Sequence, residues 1–195
     1  MNEIPVFLVH GITDTYRKMR HLTTALQQQD RTTHSIDLYP NNGSGKLEVL
    51  AEQLRDYINK LHPGNKPFDL IGFSMGGLVS RYYVQALGGR DRVRKYITIS
   101  TPHRGTIAAL FSGGKGIEQM RPNSEFIAAL NRDLSILQSL DYTAIWTPWD
   151  LIILPANSSQ LGIGQEIEIP VLLHAWMVSD RRVVDRVTTI LSQNT

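Results

Sequence analysis

The sequence of 195 residues predicts an α/β fold, with one mainly parallel sheet and helices on both of its faces. Short, nearly continuous apolar runs alternate with helix-period segments, which is the pattern of strands buried on two faces. One junction, Gly72-Phe73-Ser74-Met75-Gly76-Gly77, joins an apolar strand directly to a helical pattern. No internal repeat or low-complexity linker divides the chain, so a single domain over 1–195 is expected.

The elements follow in order. Ile4–Val9 is almost wholly apolar and reads as the first strand. Thr13 or Asp14 is expected to cap a helix that carries Met19, Leu22 and Leu26 on one face. Thr33–Tyr39 reads as a second strand, ended by the loop Pro40-Asn41-Asn42-Gly43. Lys46–Leu61 gives the clearest helix: Leu47, Leu50, Leu54, Ile58 and Leu61 recur at helical spacing, with Glu48, Glu52, Arg55 and Asp56 on the other faces. A strand over Phe68–Phe73 and a helix over about Met75–Leu87 follow, stopped by Gly88-Gly89. Val93–Ser100 is another strand, Thr101–Asn123 is irregular, and Ser124–Asn131 is a short helix. Tyr142–Thr147 and Ile167–Leu173 read as the last strands, the second limited by Pro170. Ser179 or Asp180 caps a final helix with Val183, Val187, Ile190 and Leu191 inward.

Composition narrows the function. The balance of 42% hydrophobic and 19% charged residues is that of a globular chain. A net charge of +2 without a dense basic run disfavours nucleic acid as a partner. Cysteine is absent, which removes thiol catalysis and thiolate metal ligands. No His/Asp cluster has metal-ligand spacing, and neither a P-loop nor G-x-G-x-x-G occurs, so neither a metal nor a cofactor is expected. Residues Met1–Pro5 lack a basic start and no apolar run has the length of a membrane span, so a cytoplasmic protein is expected.

In a parallel sheet the site lies at the carboxyl ends of the strands. Ser74 sits there, in a G-x-S-x-G turn between strand and helix that lifts its hydroxyl off the sheet. A serine hydroxyl needs a base, and the base needs an orienting carboxylate. The chain order Ser, acid, His selects His174, which follows the last apolar run. Asp150, in Trp146–Pro155, is the acid that fits best; Asp133 and Asp141 are alternatives, and Asp180 is better placed as a helix cap. The oxyanion formed on attack needs two donors. They are assigned to the backbone N–H groups of Met75, after the serine, and Ile12, after the first strand, where Gly11 permits an unusual backbone twist. His10 is expected to order this loop by hydrogen bonding, and His103 to support its own loop or touch substrate.

Together, His10-Gly11, Gly72–Gly77, Ser100–Thr106 ("STPHRGT"), Asp150 and His174 resemble the α/β-hydrolase lipases and esterases, especially small bacterial lipases near the minimal form of that fold. Phe73 stands where the similar "GHSMGG" form carries a histidine. The resemblance implies hydrolysis of carboxylic esters through an acyl-enzyme without a cofactor, on lipid or small acyl-ester substrates and with transient contact at a lipid interface. The interval from Thr101 to about Tyr142 is too short for a large cap, so an open cleft is expected. Ile107, Leu110, Phe111, Ile117, Leu151–Leu154, Leu161 and Ile163 could line an acyl site, with about half of them serving core packing instead. An acyltransferase or thioesterase would use the same three residues, and a non-catalytic hydrolase-like binding protein is the rival from another class.

Overall fold

The computed structural model describes residues 4–193. Its sheet has six strands, β1 (Val6–Val9), β2 (Thr33–Ile36), β3 (Phe68–Phe73), β4 (Val93–Ile99), β5 (Asp141–Trp146) and β6 (Gln165–Glu168). All neighbours pair in parallel, in the order β2-β1-β3-β4-β5-β6. The chain therefore reverses direction across the sheet between β1 and β3, and the crevice outside their carboxyl ends is the natural ligand position. The register brings these ends level, with Val9 beside Gly72 and Phe73 beside Ile99.

The alternation of side chains along each strand explains why β1 is apolar throughout. Phe7 and Val9 join a core on one face with α2 (Leu47–Leu61) and α3 (Met75–Ala86). Val6 and Leu8 join a second core on the other face, which buries Leu22 and Leu26 of α1 (Arg20–Gln27) and Val183, Val187 and Ile190 of α7 (Arg181–Ser192).

Several boundaries differ from the expected ones for local reasons. A 3₁₀ turn at Tyr16–Met19 precedes α1, and Thr15 rather than Thr13 or Asp14 stands before it. Thr13 instead takes a left-handed conformation, with φ of 59°. β2 stops at Ile36, because the next amides leave the ladder: the Leu38 N–H goes to His10 Nε2 and the Tyr39 N–H to Gln53 Oε1. β6 covers Gln165–Glu168 instead of Ile167–Leu173; beyond it Pro170 has no N–H, and the Val171 amide is shared between Ile169 O at 2.8 Å and Thr147 Oγ1 at 3.1 Å.

The segment read as irregular holds a 3₁₀ turn (Ile107–Phe111) and short α4 (Lys115–Gln119). After it come α5 (Glu125–Arg132), whose amide Ile127 is capped by Ser124, and α6 (Ser135–Gln138). α4 is tied to the start of α2, since Gln119 accepts from the Leu47 N–H at 2.7 Å and donates to Glu48 at 2.6 Å. No helix is long and apolar enough to cross a membrane among the described residues.

Candidate active site

Ser74 sits at the tip of the β3–α3 turn with φ of 53° and ψ of −123°, a conformation that costs energy in a residue with a side chain. Two glycines make the turn sterically feasible. A Cβ on Gly72 would stand 2.6 Å from Gly77 Cα, and one on Gly76 would press into the Val9 and His10 carbonyls. The elbow thus packs directly on the end of β1. The Ser74 N–H donates to Ile99 O at 2.9 Å, which fixes the turn to β4 as well.

The acid and base reach the same end of the sheet from β5 and from the chain after β6. His174 opens a 3₁₀ turn, and its Nδ1 donates to Asp150 Oδ2 at 2.7 Å. The second carboxylate oxygen, Oδ1, accepts the N–H groups of Ile152 and Ile153, each at 2.9 Å. Asp150 is buried, so these three donors offset the cost of removing its charge from water. With Nδ1 committed, the imidazole keeps Nε2 as its free nitrogen. A Thr147 hydroxyl joins the two loops upstream, donating to Val171 O at 2.8 Å while accepting from Val171 N–H. The imidazole also lies against the Phe73 ring, with centroids 5.0 Å apart, so the residue preceding Ser74 packs on the base. The Ser74 hydroxyl makes no side-chain hydrogen bond among the described residues, and a catalytic contact of this kind commonly tightens only when substrate arrives.

The other candidate acids are elsewhere. Asp141 begins β5 at the opposite end of the sheet and pairs with Lys95 at 2.6 Å. Asp133 accepts from the Ser135 N–H on the surface, and Asp180 caps α7 through the Arg182 N–H.

Met75 directly follows the serine, Ile12 directly follows Gly11, and neither N–H donates a hydrogen bond among the described residues. A Cβ placed on Gly11 would lie 3.1 Å from Ser74 Cβ, so Gly11 is required by the close approach to the elbow. It does not supply the unusual twist expected of it, which occurs at Thr13. His10 is fully buried and orders this loop from within: its Nδ1 donates to Gly11 O at 2.7 Å while Nε2 accepts from Leu38 N–H at 3.0 Å. In a trans peptide the carbonyl and the next N–H point in opposite directions, so anchoring Gly11 O turns the Ile12 N–H away from His10.

His103 is fully buried, and its ring supports its loop from within. Its Nε2 lies 3.1 Å from Thr98 Oγ1 and 3.0 Å from Tyr142 OH, while Arg81 donates to Nδ1 at 3.5 Å. Burial, together with Arg81 and Arg104, holds the imidazole well below its usual basicity and hence neutral. Burial likewise pushes the Arg81 guanidinium down to about 10.

Of the apolar candidates, Ile107, Leu110, Phe111, Leu151 and Ile152 are exposed, whereas Ile153 and Leu161 are buried. Ile117 and Ile163 pack on the first core, and Leu154 is half-buried. The exposed ones lie on two loops that are joined to each other. Thr106 Oγ1 donates to Ile152 O at 2.7 Å and the Ile107 N–H donates to Leu154 O at 2.9 Å, which binds the loop after β4 to the loop that carries Asp150. Thr147 and Lys18, whose amino group lies 5.9 Å from the Phe73 ring centroid, carry no motif in the sequence; Phe73 lies within the turn motif, but its packing on His174 is visible only in the fold. No group of three or more His, Asp or Glu residues suited to a metal occurs among the described residues.

Comparison with known proteins bears on the same region. The model of the palmitoyl protein thioesterase family matches residues 5–150, a span that includes Ile12, Ser74 and Asp150 and stops short of His174. The chain is 31% identical over 113 residues to the lysosomal thioesterase PPT2 homolog of Drosophila melanogaster, covering 55% of this chain and 38% of that protein. It is 35% identical over 116 residues to a triacylglycerol lipase of Pseudarthrobacter phenanthrenivorans, covering 55% and 35% respectively. The chain thus spans little more than a third of the length of these relatives. In structure it is similar to Aspergillus fumigatus lipase B, with a TM-score of 0.82 at 17% identity over 98% of this chain and 53% of that one. It is also similar to the mature Bacillus licheniformis lipase BlEst2, with a TM-score of 0.77 at 14% identity over 97% and 91%. The fold is that of the α/β-hydrolases, in a small form.

Proposed function

The chain belongs to the palmitoyl protein thioesterase family, and from that premise we propose that it is a serine hydrolase that cleaves acyl esters. The observation that carries the reading is the 2.7 Å bond from His174 Nδ1 to buried Asp150, beside a serine held in the strained strand-to-helix turn. Ser74 Oγ attacks the acyl carbonyl while its proton passes to His174 Nε2, and Asp150 stabilises the imidazolium that forms. The carbonyl oxygen becomes an oxyanion held by the Ile12 and Met75 N–H groups. The intermediate then collapses: the bond to the leaving group breaks, and His174 returns the proton to the departing oxygen or sulfur. Water, deprotonated by His174, attacks the acyl-enzyme and releases the acid by the reverse sequence. The exposed rim of Ile107, Leu110, Phe111, Leu151 and Ile152 supports an apolar acyl group and transient contact with a lipid surface.

The family match and the Drosophila relative favour a thioester as the bond cleaved, through the same site. Matched oxyester and thioester substrates with one acyl chain separate the two readings by their kcat/KM. A fluorophosphonate is expected to label Ser74, and Ser74→Ala to lower turnover of a p-nitrophenyl acyl ester by roughly 10⁴-fold or more with folding unchanged. Unaltered turnover in that variant would refute the assignment.

A further inference from the structure

A cavity of about 500 Å³ opens between the loop that follows β1 and the turn that begins at His174. Arg17, Lys18, Arg20 and His21 line one wall, and Trp176 lies on the other. Asp14 is the carboxylate in this wall. Arg17, Lys18 and Arg20 form no ion pair with a carboxylate among the described residues, in contrast with Arg31, Arg94 and Lys95. Their side-chain contacts are to neutral groups: Arg17 donates to Tyr16 OH at 3.4 Å and Arg20 to His21 Nε2 at 3.3 Å.

Two contacts tie this cavity to the reacting atoms. The Lys18 amino group lies over the Phe73 ring, and His174 packs on the same ring, one residue from Ser74. Thr13 in the cavity wall adjoins Ile12, proposed above as an oxyanion donor. The cavity also lies on the β1 side of Ser74, whereas the apolar rim is built from loops after β4 and β5. An ester has two ends of different chemistry, and these two walls differ in the same way. Unpaired cations in a concave site concentrate anions from solution.

We propose that this cavity is an anion-binding subsite that receives a phosphate or carboxylate carried on the leaving-group side of the substrate, while the apolar rim takes the acyl chain. The proposal rests on the ester-hydrolase reading for its place in the reaction, and it is independent of that reading as a binding site.

The test compares phenyl butyrate with two butyrate esters of the same acyl chain, one of 4-hydroxyphenyl phosphate and one of 3-hydroxybenzoate. At low salt kcat/KM is expected to be about tenfold higher for a charged leaving group, through a lower KM. That ratio is expected to collapse towards one in the Lys18→Gln/Arg20→Gln double variant and at high salt. Preference for the phosphate ester over the carboxylate ester, or the reverse, identifies the anion. Equal kcat/KM for charged and neutral esters, with hydrolysis still dependent on Ser74, overturns the subsite and leaves the hydrolase reading intact. Loss of all ester turnover in the unmodified protein instead refutes the hydrolase reading. The cavity is then judged by titrating Ser74→Ala with inorganic phosphate and following tryptophan fluorescence. A saturable change that is absent in Trp176→Phe and in the double variant supports an anion site. No saturable change overturns it.

Discussion

Two histidines that follow strands of this sheet have opposite surroundings, and their behaviour with pH should differ accordingly. His174 keeps one nitrogen on Asp150, and as the proposed general base it has to be neutral to accept the Ser74 proton, so activity is expected to fall in acid. His103 instead affects stability. Its basicity in the fold lies well below the unfolded value, chiefly through burial, so below about pH 6.5 the unfolded chain binds a proton that the folded chain refuses. Stability from this group is present above that pH and is lost as pH falls, by up to about 1.4 kcal/mol per pH unit. Urea unfolding at several pH values should show the stability difference between the native protein and His103→Gln shrinking towards low pH. A constant difference would count against the buried neutral imidazole. Ser74, Asp150 and His174 stand out as candidates in the sequence because a turn motif and a fixed chain order mark them, and the fold brings Asp150 and His174 together. The burial of His103 was not, because Thr98, Arg81 and Tyr142 reach it only after the sheet has formed.

At the scale of elements, β3 carries a fully buried carboxylate at the end of the sheet away from the site. Asp69 pairs with Arg31 at 2.6 Å and with Arg94 at 2.7 Å, and Arg31 also donates to Ile4 O and Leu191 O. One cluster therefore ties β3 and β4 to the chain before β1 and the last turn of α7. Asp69→Ala leaves two guanidinium groups without their partner and is expected to cost about 3–5 kcal/mol in chemical unfolding. Breaking the exposed Arg181–Asp185 pair by Arg181→Ala is expected to cost at most about 1 kcal/mol. Comparable losses in the two variants would show that the cluster does not organise the strands. The helical spacing of α2 and the apolar run of β3 made those elements readable with their ends. β2 and β6 were misjudged because their limits are set by distant acceptors, His10 Nε2, Gln53 Oε1 and Thr147 Oγ1, which compete for amides that local pattern assigns to the ladder.

For the molecule as a whole, the strand order puts the serine loop and the β1 loop on either side of the crevice where the connections reverse, with the acid and base delivered from the β5–β6 side. The loops after β4 and β5, proposed to take the acyl chain, carry apolar side chains that are already uncovered, Phe111 at 84% exposure and Leu151 at 71%. An acyl-ester panel should accordingly show kcat/KM rising by about two- to fourfold per added methylene, until the chain outruns the rim. It should also show no steep rise in rate at the concentration where the ester aggregates. An abrupt rise there would mean that the rim is covered in solution. One further consequence lies in the double hydrogen bond between Thr147 and Val171, just upstream of Asp150 and His174. It fixes the loops carrying the proposed acid and base to one another, while the turn of Ser74 is anchored separately, to β1 and β4. The proposed triad therefore has two independent footings, and a substitution at Thr147 is expected to disturb the Asp150–His174 pair while leaving the serine turn in place.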